Sequence, residues 1–309
     1  MAEPHPSIAG IRLVLGGNVF GWTIDRDQSF AVLDAFYAAG GRMIDSAEGY
    51  SSWVPGNKGG ESETIIGAWL ASRGVRKDMR IGTKTGMGGP PGGLRPERVK
   101  AALQGSLDRL QTDYLDLYYA HRDDPETPLD EVAAGFDALV ETGAVRELGA
   151  SNFTRERLGA ALAAARRIGA ARYTVFQPLY NLATRAEYEG GLQQLCVDED
   201  IAVLPYYGLA AGFLTGKFKS AADWAGSPRA SSLDHVAAQG GWAVLAAMAQ
   251  VAAQTGASHA RIALAWLNAQ PGIAAPLASA TSTAQVAELC AGATLSLDDA
   301  QLATLTAAS

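Results

Sequence analysis

Eight short apolar runs, each followed by an amphipathic segment, constrain this chain more than any other feature. The runs are IRLVLGG, RMID, RIGTK, YLDLYYAH, VRELGAS, YTVFQ, IAVLP and IAAPL. Between them lie QSFAVLDAFYAAG, ETIIGAWLASRG, RPERVKAALQGSLDRL, PLDEVAAGFDALVETG, TRERLGAALAAARRIG and YEGGLQQLCVDED, then helical patterns around WAVLAAMAQVAAQTG and ARIALAWLNAQPG; STAQVAELCAG follows the eighth run. Several of these segments close on glycine, as helices with left-handed C-terminal caps do. Runs apolar enough to be buried on both faces, alternating with helices, imply a parallel sheet. Eight such units in 309 residues favour a closed (β/α)8 barrel over an open doubly wound sheet, as one domain spanning 1–309. Two insertions break the rhythm: YSSWVPGNKGGES after the second run and YYGLAAGFLTGKFKSAADWAGSPRASSLDHVAAQG after the seventh. Both are read as long functional loops.

A barrel of this kind collects its chemistry where strands end at the C-terminal face. The second run delivers Asp45 there, with Tyr50 just beyond; the third delivers Lys84 and the fourth His121. The fifth contributes Ser151 and Asn152, the sixth Gln177, the seventh Tyr206. Asp, Tyr, Lys and His on neighbouring strand ends imply a tuned phenol. A free phenol titrates near ~10, and an adjacent ammonium is expected to lower that value. Asp45 is expected to hold Lys84 in place and charged, and His121 to polarise a carbonyl or relay a proton. Such a group gives or takes a proton at an alcohol or carbonyl oxygen, chemistry that needs a hydride partner. The amides of Asn152 and Gln177 suit a nicotinamide carboxamide, and Tyr206 offers a flat face to its ring. Taken singly, Asp45 and Tyr50 are ordinary turn residues. Ser46 and Glu48, between them, are read as turn residues without a role.

The rest of the chain narrows the field. A formal net charge of −7 argues against general nucleic-acid binding and against docking on anionic membranes. The start, MAEPHPSIAG, has neither the basic nor the apolar region of a signal peptide. The most apolar helical stretch, 242–249, is interrupted by Gln250 and is expected to be too short to span a bilayer. Cys196 and Cys290 are expected to be buried free thiols in a reducing, cytoplasmic compartment. No Cys/His cluster has zinc spacing, so no metal is expected. GFLTGK at 212–217 is one residue short of a phosphate-binding Walker loop, and Phe218 stands where Ser or Thr is needed. GMGGPP at 86–91 has proline in the third glycine position, so dinucleotide binding is not of the Rossmann type. His5, His235 and His259 lie away from strand ends and are read as structural or solvated. Trp22, Trp53 and Trp224 fall in strand-to-helix loops and are expected to wall an apolar substrate pocket.

The motifs DSAEGY, GTK, YAH, GASN, FQPLYN and PYYGLAAGFLTGK occur in that order and at barrel spacing. In these, from the first strand to nearly the end of the chain, the sequence resembles the aldo-keto reductase superfamily. The resemblance implies a catalytic tetrad of Asp45, Tyr50, Lys84 and His121, with Tyr50 as proton donor. It implies carboxamide contacts at Ser151, Asn152 and Gln177, a stacking aromatic at Tyr206, and a pyrophosphate-clamping segment containing Leu209, Gly212 and Lys217. In NADPH-preferring members a Lys and an Arg after the last strand bind the adenosine 2'-phosphate; here those positions hold Ser279 and Gln285. Glu288 matches an adenine-contacting Glu. Losing both cations weakens the electrostatic case for NADPH, although hydroxyls at 279 and 281–283 and helix N–H groups still suit a phosphate. The expected cofactor is NADPH ahead of NADH, and the expected partner a small-molecule carbonyl or alcohol. Two rivals remain: a nicotinamide-binding regulatory subunit resembling channel-associated barrels, and a hydrolase or lyase using Asp45 or Glu48. The second lacks paired carboxylates or metal ligands.

Overall fold

The computed structural model describes residues 8–87 and 93–309. Six of the eight apolar runs contain a strand and two overlap one, β3 extending a residue past its run and β8 starting on the last residue of its own: β1 Val14–Gly16, β2 Met43–Asp45, β3 Arg80–Thr85, β4 Leu117–Ala120, β5 Leu148–Ser151, β6 Val175–Gln177, β7 Ala202–Val203 and β8 Leu277–Ala278. All neighbours are parallel, in the order β7-β6-β5-β4-β3-β2-β1-β8. The remaining seam is closed by backbone bonds from Ala274 N to Val203 O (2.9 Å) and from Leu277 N to Pro205 O (2.9 Å). The expected (β/α)8 architecture is therefore the observed one.

Strand periodicity sorts side chains into two layers. Val14, Met43, Leu117, Tyr119, Val175 and Leu204 point into the barrel and pack on one another, with Ile8 from the N-terminal segment. Leu15, Ile44, Ile81, Tyr118, Phe176 and Val203 point outward against the helices. Each fully buried aliphatic side chain contributes about 1.5–3 kcal/mol relative to exposure. The same alternation puts Asp45 and Gln177, two positions after Met43 and Val175, on the inward face at the C-terminal rim. Gly149 on β5 is required by this packing, since a Cβ there would stand 2.4 Å from the Tyr119 ring.

The outer layer is α1 Arg26–Ala38, α2 Glu61–Arg73, α3 Pro96–Leu110, α4 Leu129–Glu141, α5 Arg155–Ile168, α6 Gly191–Asp198, α7 Ala230–Val236, α8 Trp242–Thr255, α9 His259–Asn268, α10 Thr283–Thr294 and α11 Asp299–Ala307. Left-handed glycines end α2 (Gly74), α5 (Gly169) and α8 (Gly256). Side-chain caps from Asp25, Thr154, Ser258 and Ser282 start α1, α5, α9 and α10. Glu63 on α2 is fully buried, accepting from Thr83 Oγ1 (2.5 Å) and Arg109 Nε (2.7 Å), and so ties α2, β3 and α3 together.

The long insertion after β7 holds short 3-10 turns at Ala210–Thr215 and Ala221–Trp224, then α7. Helix α11 lies beyond any segment singled out in the sequence; a capping box at Asp298 and Gln301 starts it. The apolar stretch is also longer than expected. Ala230–Thr255 runs for 26 residues, long and apolar enough by composition to cross a membrane. Its helical geometry breaks at Gln239 and Gly240 (φ 90°), which separates α7 from α8, and both bury apolar residues such as Leu233, Val236, Met248 and Val251. Cys196 is buried, Cys290 half-buried, and both are free thiols. His5, and residues 88–91 of the GMGGPP stretch, lie outside the described residues.

Candidate active site

The rim residues converge on the ammonium of Lys84. It is fully buried, as is Asp45. An ammonium has three protons to give and nothing to accept. Lys84 gives one to Asp45 Oδ1, one to the backbone carbonyl of Ser46 (2.7 Å) and one to the phenol oxygen of Tyr50 (3.0 Å). Asp45 Oδ2 accepts from Gln177 Nε2 (3.0 Å), so the carboxylate is held from two strands. Burial alone pulls the Lys84 pKa down, but the Asp45 carboxylate and then Tyr50 lift it to a net value above the ordinary one. The ion pair persists because a buried charge without a partner is far costlier than a paired one.

Tyr50 departs from expectation. Burial lifts its phenol above the ordinary value, and the pull of Lys84 does not overcome this. Proximity of Lys84 is readable from residue order; the desolvation that outweighs it is not. The phenol therefore keeps its proton at neutral pH. Among the described residues no acceptor takes that proton. The His121 ring stands edge-on to Tyr50 at 6.0 Å between centroids. Burial, then the positive charges of Lys84 and Arg122, push the His121 imidazole well below its ordinary pKa, so it is neutral.

On the neighbouring strand ends Ser151 Oγ donates to the Gln177 carbonyl (2.7 Å). The Asn152 amide donates to the His121 carbonyl (2.9 Å) and to Ser151 Oγ (3.1 Å), and accepts from the Tyr206 hydroxyl (2.8 Å). Asn152 reaches these partners from a left-handed backbone (φ 56°), a conformation Asn tolerates better than most residues. Ser151, Asn152, Gln177 and Tyr206 thus form one hydrogen-bonded network, which reaches Asp45 through the Gln177 side chain.

Two of the three loop tryptophans join the site. Trp53 meets Tyr50 edge-on at 6.2 Å and Trp22 at 5.4 Å. Trp53 is half exposed. Trp224 does not wall this pocket. It is buried at 2% exposure, stacked on Trp242 and packed on Phe213 and Phe218, with its indole N–H given to Asp234 Oδ1 (2.8 Å). An aromatic with its single donor satisfied is stable in a core, and its main stacking partner lies beyond α7, invisible to loop position.

The segment after β7 carries backbone strain. Tyr207, Ala210 and Ala211 have φ of 59°, 47° and 57°, and Gly212 follows at 96°. Such conformations in non-glycine residues cluster at ligand clamps. Leu209 packs half-buried against the core. Lys217 rests on the Phe218 ring at 4.7 Å, with its ammonium facing Gly212. Arg229, unremarked in the sequence, lies 5.4 Å over the Trp22 ring. Among the described residues it is the one arginine that is neither exposed nor given a hydrogen-bond or ion-pair partner. A half-buried guanidinium without an acceptor and, separately, a strained loop facing a lysine without an ion-pair partner are chemistry that suits a phosphate-bearing cofactor. Beyond β8, Ser279 donates to Asn18 Oδ1 (2.5 Å), and Gln285 Oε1 accepts from Thr281 N (2.7 Å) and Thr281 Oγ1 (3.1 Å). Glu288 accepts from Ser258 Oγ and from Arg261 (both 2.5 Å). No group of His, Cys, Asp and Glu among the described residues is arranged to hold a metal.

Glu48 is the residue most underestimated by its place in a turn. Its Oε1 accepts from Thr85 Oγ1 (2.7 Å), from Gly86 N (3.2 Å) and from Arg98 (2.7 Å).

Comparison with known proteins agrees with this geometry. The sequence model of the Aldo/keto reductase family matches residues 12–309. Protein tas of Escherichia coli is 32% identical over 92% of this chain and 89% of its own length. The uncharacterized oxidoreductase YrpG of Bacillus subtilis is 32% identical over 93% of this chain and 88% of its own. Norsolorinic acid reductase B of Aspergillus parasiticus is 33% identical over 66% of this chain, a match spanning only 56% of that longer relative. The chain belongs to the aldo/keto reductase family. It is thus an enzyme of the nicotinamide-dependent oxidoreductase class.

Proposed function

We propose that the chain reduces the carbonyl of a small aldehyde or ketone to an alcohol, or runs the reverse, with Tyr50 exchanging the proton at the substrate oxygen. A bound reduced nicotinamide supplies the hydride from its C4. The observation that carries this reading is the allocation of protons around Lys84. Because the Tyr50 oxygen accepts from Lys84 at 3.0 Å, its own hydrogen is left for a substrate oxygen. Burial holds that hydrogen in place until transfer, and the ammonium then stabilises the phenolate that forms. Neutral His121 orients the carbonyl by a ring N–H. Asp45 keeps Lys84 cationic and in place.

In this reading Ser151, Asn152 and Gln177 hold the carboxamide, and Tyr206 stacks on its ring. Leu209, Gly212, Lys217 and Arg229 hold the phosphates, and Glu288 faces the adenine. NADPH stands ahead of NADH, which competes because Ser279 and Gln285 replace cations. Trp22 and Trp53 make the substrate side apolar. The acidic net charge supports a small-molecule partner rather than nucleic acid or membrane, and a single cytoplasmic domain completes the reading.

The test follows absorbance of the reduced nicotinamide with a panel of aldehydes, ketoses and secondary alcohols, using both cofactors. Replacing Tyr50→Phe is expected to lower turnover by about 1,000-fold while the cofactor dissociation constant, read by fluorescence, stays in place. Turnover in the variant within tenfold of the parent would reject Tyr50 as the proton donor.

A further inference from the structure

The loop 46–50 carries Tyr50 past the end of β3, and it grips that strand from both sides. On the inner side Tyr50 meets Lys84. Strand alternation turns Thr85, the next residue, to the outer side, and there Glu48 accepts the Thr85 hydroxyl. The same carboxylate oxygen accepts Gly86 N–H, where the chain leaves β3, and the guanidinium of Arg98 on α3. Arg98 in turn reaches Thr85 Oγ1 at 3.4 Å. Backbone bonds run parallel to this grip, from Ser46 N to Gly82 O (2.8 Å) and from Glu48 N to Lys84 O (3.0 Å). The Glu48 side chain is 13% exposed and that of Arg98 28%, so the pair is sheltered and charge-assisted rather than a solvated surface contact. Glu48 lies two residues from Tyr50, while its side chain is fixed to the residue that follows Lys84. The carboxylate thus ties the loop that carries Tyr50 to the strand end that carries Lys84.

We propose that Glu48, held by Arg98, is a positioning residue that sets the approach of the Tyr50 hydroxyl to the Lys84 ammonium, and through it the rate of proton transfer. The inference rests on the reading of Tyr50 as proton donor. It assigns no contact with substrate to Glu48. It predicts that loosening the clamp slows the chemical step while leaving cofactor binding largely intact, because the groups assigned to the cofactor sit on other strands. Misplacement by about 1 Å is enough to cost up to ~100-fold in rate.

The experiment compares Glu48→Ala, Glu48→Gln and Arg98→Leu in the full chain, each alone and combined with Tyr50→Phe, with one aldehyde that the parent enzyme turns over. For Glu48→Ala we expect kcat to fall about 30-fold, with KM and the cofactor dissociation constant moving less than about threefold. Glu48→Gln keeps an acceptor for Thr85 and Gly86 and is expected to restore kcat to within about fivefold of the parent. In the Tyr50→Phe background the same Glu48→Ala change is expected to cost less than about twofold, since a residue acting through Tyr50 has nothing left to position. If Glu48→Ala does not fold, Arg98→Leu carries the test with the same pattern at smaller size. Equal losses with and without Tyr50, or a rise in KM with kcat unmoved, overturn the proposal. Full turnover in Tyr50→Phe alone refutes the proton-donor reading instead, so the two failures are told apart.

Discussion

The rim at β2–β4 and the arc at β7, β8 and α10 are built on opposite principles. At β2–β4 a buried ion pair organises everything: Lys84 gives all three protons to fixed acceptors, and Asp45 is held from two strands. Along the other arc the polar side chains are more exposed. There Gln285 caps Thr281, Ser279 bonds Asn18, and Arg261 holds Glu288, while Lys217 and Arg229 have no hydrogen-bond or ion-pair partner among the described residues. A buried pair resists change because removing either member strands the other. Exposed side-chain bonds cost about 1 kcal/mol or less to exchange. The difference teaches that the groups we propose for proton transfer sit in the part of the molecule least able to vary, and those we propose for cofactor preference in the part most able to.

The hardest test of this contrast is Lys84→Met. It leaves Asp45 buried with only the Gln177 amide beside it. We expect a loss of about 3–5 kcal/mol in folding stability at neutral pH, with turnover abolished. Adding Asp45→Leu is expected to return most of the stability and none of the turnover, since a buried pair replaced as a unit is close to neutral. Denaturant midpoints of the parent, single and double variants measure this; a single variant as stable as the parent would show that the rim is no more rigid than the arc.

His121 gives a smaller effect with a defined sign. Its folded pKa lies well below the unfolded value of 6.5. As pH falls through that value the unfolded chain takes a proton that the folded chain refuses, so His121 withdraws stability on acidification, by at most about 1.4 kcal/mol per pH unit. His121→Gln is therefore expected to lose less stability than the parent between neutral pH and mildly acidic pH, and the parent's kcat to show no step at 6.5. Parallel stability curves for the two proteins would place the imidazole in solvent-like surroundings.

Legibility in the sequence followed the same division. Eight strands and the rim positions of Asp45, Lys84 and His121 were readable because strand alternation and barrel polarity are local rules: a polar residue at the end of an apolar run lands on the rim. Glu48 was not readable, because its partners Thr85 and Arg98 lie 37 and 50 residues away. Nor was Trp224, whose fate depends on Trp242 across an insertion whose helical turns lack clear apolar periodicity. Arg229 is notable for what it does not bond, a property that exists only in three dimensions. The Tyr50 phenol shows the limit most plainly: a neighbouring cation can be inferred from residue order, but the degree of burial that outweighs it cannot.

The smallest expected effect lies in the arc and concerns Gln285. Its carboxamide oxygen now accepts both the Thr281 N–H and the Thr281 hydroxyl, groups otherwise available to an anion beside the first turn of α10. Gln285→Arg removes that acceptor, frees both donors and adds a guanidinium suited to bidentate phosphate binding. Because the site is exposed, stability should change by no more than about 0.5 kcal/mol. The ratio of NADPH to NADH affinity should rise about tenfold, equivalent to about 1.4 kcal/mol. Salt should erode the gain, since an exposed phosphate contact is screened within about 8–10 Å at physiological ionic strength. Fluorescence titration of both cofactors at low and high salt reads the effect without turnover. An unchanged ratio would mean that the 2'-phosphate is not met by this segment, and the discriminating cation would then be sought at Lys217 or Arg229.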